Sequence, residues 1–138
     1  MKPFLIGDTY HHEFSFSQND VTQFAHVTGD KNPLHLDADY AATTVFKKPI
    51  MHGFLGGSIF SMVFGTLFPG EGTVYLSQSM KFLRPMYVNV TYQAVFTVKE
   101  VNYEKNSAVV QTQMIDKDTG KVTIDGEATV MNKTVIVA

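Results

Sequence analysis

The spacing of apolar positions changes period once along the chain, near residue 70. Before that point it is helical. Val21, Phe24, Ala25 and Thr28 fall at i, i+3, i+4 and i+7, one face of an amphipathic helix. Ser17 stands where an N-cap belongs, with Asp20 three residues on in a capping-box-like arrangement, and Gly29 supplies a natural stop. Ahead of this helix, residues 9–16 alternate loosely and read as an opening strand. Asn32-Pro33 predicts an extended or turning backbone, since the residue before proline avoids the helical region. Asp37 predicts the cap of a short helix through "ADYAATT", and "KKPIMHG" a connecting loop. Residues 54–68, "FLGGSIFSMVFGTLF", place large apolar side chains in nearly every direction around a helix, which predicts a helix surrounded on all sides. Its small residues, Gly56, Gly57, Ser58, Ser61 and Gly65, would let other backbone approach closely.

After "PGEG" the period is two. Residues 73–83 and 86–103 read as long strands, the second with Tyr92, Ala94, Phe96 and Val98 on one face. "NYEKNS" turns the chain into a strand over 108–115, and "DKDTG" turns it again into one over 121–131. Helices come early and antiparallel strands late. A curved sheet wrapped around the apolar helix buries both, so the predicted fold class is α+β. With 138 residues and no repeat or linker, residues 1–138 are expected to form a single domain.

Composition narrows the chemistry. There is no cysteine, which removes thiol nucleophiles, disulfides and thiolate metal sites. Eleven basic and thirteen acidic residues leave a net charge of −2, without the broad basic footprint of a nucleic-acid binder or a basic run for a membrane surface. The first residues, "MKPFLIGDTYHHEF", carry one lysine and a brief apolar patch, which is no signal peptide, so a cytoplasmic location is expected. The apolar run 54–68 would rise roughly 22 Å as a helix, short of a hydrocarbon core of roughly 30 Å. It is expected within the protein.

Residues 27–37, "VTGDKNPLHLD", hold a carboxylate, an amide and an imidazole within six positions: Asp30, Asn32 and His35. Such groups on one non-helical loop can converge on a small site and move protons near neutral pH. Asp and Asn beside Gly and Pro are also ordinary turn residues, and both readings stand at this level. Metal binding by His11, His12, Asp30, His35, Asp37 and His52 lacks a recognised spacing, and adjacent His11 and His12 on a strand point to opposite faces. Downstream, "MHGFLGG" opens the apolar helix. The first N–H groups of a helix lack partners, and side-chain-free Gly53 would let a carbonyl oxygen approach one. Gly53 for helix packing, and His52 as a cap or core residue, are the alternatives.

Together, "VTGDKNPLHLDADYAATTVFKKPIMHGFLGGSIFS" resembles the hydratase motif of the MaoC-like hot-dog family, in particular its short (R)-specific enoyl-CoA hydratases. The likeness continues through "LFPGEGTVYLSQSMKFLRPMYV", so it covers residues 15–90 in detail and the rest in pattern. It implies a single hot-dog domain, a long helix in the curve of an antiparallel sheet, usually paired as a homodimer. It implies that Asp30 and His35 are the catalytic acid/base pair, holding a water whose elements add to a trans-2-enoyl-CoA to give an (R)-3-hydroxyacyl-CoA. Asn32 matches a supporting site residue, Gly53 the backbone donor to the thioester oxygen, and Ser61 a serine lying near the pair. No metal or other cofactor is implied. Where many relatives have Gly-Asp, this chain has Asn89-Val90, which puts local turn geometry or dimer contacts in question. The lack of a second hot-dog repeat points away from long, bulky acyl chains. Dehydration of a 3-hydroxyacyl thioester on acyl carrier protein, or of a branched acyl-CoA, is the close alternative. A thioesterase leaves the Asp-x-Asn-Pro-x-His loop unexplained, and a non-catalytic acyl-CoA-binding subunit has no use for intact Asp30, Asn32 and His35.

Overall fold

The computed structural model describes residues 4–138. Residues 1–3, the start of the segment read as no signal peptide and of the expected domain, lie outside them. In chain order the elements are β1 (Thr9–Phe14), α1 (Gln18–Thr28), α2 (Pro33–Leu36), α3 (Ala38–Ala42), α4 (Gly53–Thr66), β2 (Val74–Phe82), β3 (Tyr92–Asn102), β4 (Ser107–Asp116) and β5 (Val122–Met131). The strands form one antiparallel sheet in the order β1-β3-β4-β5-β2. The expected α+β class, with a long helix against an antiparallel sheet, is what the chain adopts.

The inner face of the sheet is written in alternation. Tyr92, Ala94, Phe96 and Val98 of β3 are buried, as are Ala108, Val110, Thr112 and Met114 of β4. Against them α4 lays Phe60, Val63 and Phe64, with the rings of Phe60 and Phe64 meeting Phe96 edge-on at 5.8 and 5.2 Å. Each buried Phe, Val or Met side chain among these contributes about 1.5–3 kcal/mol from its removal from water. Burial also raises the pKa of Tyr92, whose hydroxyl accepts from the Tyr87 N–H at 2.7 Å.

Several expectations are corrected. The opening strand stops at Phe14, because pairing with β3 ends at Tyr92 and the Phe16 carbonyl instead accepts from the Asn89 N–H at 2.7 Å. The strand expected over 86–103 begins only at Tyr92. Asn89 has φ +61°, a left-handed turn that asparagine tolerates, so the departure from Gly-Asp keeps a glycine-like turn. Asn32 is extended, at φ −53° and ψ 124°, as expected of a residue before proline, but Pro33 then opens the one-turn helix α2, where its missing N–H costs nothing. The short helix after Asp37 ends at Ala42.

The helix α4 is not surrounded. Phe54, Ser58, Ser61 and Gly65, at i, i+4, i+7 and i+11, form an exposed stripe, with Phe54 68% exposed. Nor do its glycines admit backbone. A Cβ on Gly53, Gly56 or Gly57 would lie 2.6–2.8 Å from the Phe82 ring, Met86 Sδ or Met80 Sδ, so side chains fill those places. No helix of the described residues is long and apolar enough to cross a membrane.

Backbone does come close at Gly126 of β5, where an added Cβ would stand 1.8 Å from the Ser79 carbonyl oxygen. The β2–β5 pairing depends on that space. Gly126→Ala is expected to destabilise the protein by at least about 2 kcal/mol, in the severe range for a point substitution, measured as a shift in the urea unfolding midpoint.

Candidate active site

Three separate pieces of chain build the site. The first is the end of α1. Its Ser17 capping box forms as expected, and Gly29, at φ +79°, closes the helix with its N–H on the Ala25 carbonyl. The chain leaves α1 into Asp30, whose N–H donates to Thr28 Oγ1 at 3.1 Å and whose Oδ1 accepts from the Asn32 N–H at 3.4 Å.

The second piece is α2. Asn32 is its N-cap, with Oδ1 accepting from the Leu34 N–H at 3.1 Å. His35 is therefore carried on a helical turn, 9% exposed, and the Gln18 amide donates to its carbonyl at 3.1 Å. Its Nδ1 lies 2.7 Å from the Ile50 carbonyl. A carbonyl only accepts, so Nδ1 carries a hydrogen, and in the neutral ring Nε2 then keeps its lone pair.

The third piece is the start of α4. Gly53 is its first residue, and the Gly53 N–H has no acceptor among the described residues. His52 precedes it and makes no side-chain cap; its Nε2 donates to the Asp30 carbonyl at 3.0 Å. The His35 and His52 rings stack at 3.8 Å and 28°. Sequence reasoning set His52 down as a cap or core residue. It is buried, and it is also in contact with both Asp30 and His35. The "HG" pair was the one signal for this, and period and spacing could not show which way the ring turns.

Donor atoms of Asp30, His35 and His52 all lie within 4.8 Å of one another, so the cluster has the span of a metal site. The ring geometry does not suit ligation. A metal sits in the plane of each imidazole it binds, and two stacked rings only 28° apart have planes that meet far from either. His11 is exposed and His12 half-buried on opposite faces of β1, apart from this cluster, and Asp37 caps α3 through the Tyr40 N–H.

Two cavities flank the start of α4 and share Phe54. One, of about 460 Å³, is bordered by His35, Gly53, Phe46, Phe82, Arg84 and Met86. The other, of about 580 Å³, is bordered by Phe24, Thr28, Ser61, Tyr75, Gln78 and Met80. Ser61 thus borders the second cavity, roughly 12 Å of helix rise beyond Gly53, together with Thr28, whose Oγ1 accepts from the Asp30 N–H. Tyr75 donates to Gln78, which donates in turn to buried Thr112 at 2.8 Å. Burial pushes the Tyr75 phenol up to about 12.

Residues 4–121 match the MaoC like domain. The chain belongs to the MaoC-like family. It is 43% identical over 117 residues to the (R)-specific enoyl-CoA hydratase of Rhodospirillum rubrum, covering 85% of this chain and 80% of that one. It is 33% identical over 126 residues to the mitochondrial 3-hydroxyacyl-[acyl-carrier-protein] dehydratase of Arabidopsis thaliana, covering 90% and 75%. The structure of the (R)-hydratase from A. caviae involved in PHA biosynthesis superposes with a TM-score of 0.90 at 35% identity, over 96% of this chain and 99% of that one. The hot-dog fold expected from the MaoC-like motif is therefore present.

The cap on α2 can be tested by itself. Asn32→Ala is expected to lower the unfolding free energy by about 1 kcal/mol, and Asn32→Asp, which can still accept from Leu34, to cost much less. Urea melts of the two variants make the comparison.

Proposed function

We propose that this MaoC-like protein is an (R)-specific enoyl-CoA hydratase, adding water to a trans-2-enoyl-CoA to give the (R)-3-hydroxyacyl-CoA. The observation that carries the reading is that His35 and Gly53, whose N–H is free among the described residues, border one cavity, with Asp30 clustered against His35. Relatives named as hydratases of this kind, alike over most of the chain, support it.

Water adds to C3 of the enoyl group only as its thioester carbonyl takes up negative charge. The Gly53 N–H, at the positive end of α4, is the donor for that oxygen. Asp30 and His35 hold the water; between them one proton leaves it and one is delivered to C2. Asn32 acts by holding the helical turn that carries His35. Ser61 borders the second cavity, where an acyl chain would run past Phe24 and Met80. Nothing in this sequence of events calls for a redox or metal cofactor. A Cβ at Gly53 would collide with the Phe82 ring that borders the same cavity, which accounts for a glycine there.

Dehydration of a 3-hydroxyacyl thioester on acyl carrier protein is the second reading, favoured by the likeness to the plant dehydratase. The chemistry is the same run backwards. We also take residues 1–138 as one domain working as a cytoplasmic homodimer. For the dimer, the support is the open stripe of α4 beside the edge strand β2, where Val74, Leu76 and Phe82 are exposed. An edge strand with exposed apolar side chains pairs readily with a second copy.

Loss of enoyl-thioester absorbance with crotonyl-CoA, compared with the same acyl group on acyl carrier protein, tests the reading and ranks the carriers. No change with either, over a range of chain lengths, would sink it, and thiol release would point to a thioesterase. Asp30→Asn and His35→Ala are each expected to cut turnover by at least about 10²-fold. For the dimer, sedimentation is expected to give twice the chain mass, and Leu76→Glu to shift it toward the monomer.

A further inference from the structure

The ring of His52 is buried, 3% exposed, and the chemistry above does not use it. It occupies the N-cap position of α4 yet makes no side-chain cap, the usual work of that position. Instead it turns toward the proton-transfer pair. Its Nε2–H reaches the Asp30 carbonyl, 22 residues away in the chain, while one face of the ring lies against His35 and the Phe24 ring sits at 4.8 Å.

The bond to Asp30 matters because little else holds that residue. Asp30 is exposed, and its other two hydrogen bonds run to residues only two positions away. Among the described residues, the His52 bond is the one that ties Asp30 to a distant part of the fold. The same side chain bears on His35, and its residue directly precedes Gly53 in the chain. One ring therefore fixes the acid/base pair relative to the first N–H of α4.

We propose that His52 is a positioning residue, which holds Asp30 and His35 in register with the Gly53 N–H; this rests on the hydratase reading. Its own nitrogens argue against proton carriage. The Asp30 carbonyl holds the hydrogen on Nε2, and Nδ1 is buried with no partner among the described residues. A proton has no route through the ring. The role is geometric.

The test compares two substitutions in the whole protein, with crotonyl-CoA as substrate. His52→Phe keeps a ring against His35 and Phe24 and loses the bond to Asp30. His52→Gln loses the ring and keeps an amide that can donate to that carbonyl. The Phe variant is expected to lose about 10- to 100-fold in kcat, the scale on which small misplacement acts, with KM within about twofold of wild type. The Gln variant is expected to recover most of that loss. If the Phe variant does not fold, His52→Ala takes its place beside the Gln variant. Wild-type kcat in the Phe or Ala variant, or an equal loss in the Gln variant, overturns the inference. An inactive wild type instead sinks the hydratase reading and this role with it; an active wild type with an indifferent His52 sinks this role alone.

Discussion

Burial of α4 against the inner face of the sheet is the constraint on which the rest depends. The helix is apolar on nearly every side, and the sheet supplies cover through Phe96 and its neighbours. Once Phe60, Val63 and Phe64 are seated, the helix has no freedom to slide. Its first turn is then fixed by side chains that occupy the space over Gly53, Gly56 and Gly57. A packing requirement thereby sets where one unpaired N–H points.

The two imidazoles of the site are held by backbone carbonyls. His35 is turned by the Ile50 carbonyl, and its own carbonyl is held by Gln18; His52 is turned by the carbonyl of Asp30. Backbone carbonyls make good anchors because their positions are set by the fold, and they leave the reactive side-chain atoms free. The Ile50 N–H, bonded to the Leu34 carbonyl at 3.2 Å, and the Met51 N–H, bonded to that of Met86 at 2.7 Å, secure the connecting segment between α3 and α4 in turn.

Much of this was legible in the chain. The Ser17 capping box, the stop at Gly29, the buried face of Tyr92, Ala94, Phe96 and Val98, and the α+β order all follow from local rules that see a few residues at a time. The MaoC-like motif brought Asp30, His35 and Gly53 into one picture. What local rules missed depends on distance. Pro33 keeps Asn32 out of the helical region, as local rules expect, and also opens a helical turn with the residues that follow, which they did not show. The strand beginning at Tyr92 is set by its partners in β1 and β4. His52 gave no sign of its orientation, because a ring that bonds a carbonyl 22 positions back has no periodic trace. The open stripe of α4 was hidden for a related reason: apolar composition marks a helix as in need of cover, and does not say which of its faces the sheet reaches.

The bond from His35 Nδ1 to the Ile50 carbonyl has a consequence for direction. A ring tied at one nitrogen cannot turn over between cycles to exchange its two ends. Whatever proton Nε2 gains in one half of the proposed reaction, it gives up from the same place in the other half. In the proposed reaction, hydration and dehydration then use this one ring geometry in opposite order. Which way the chemistry runs is left to the concentrations of the two thioesters around it.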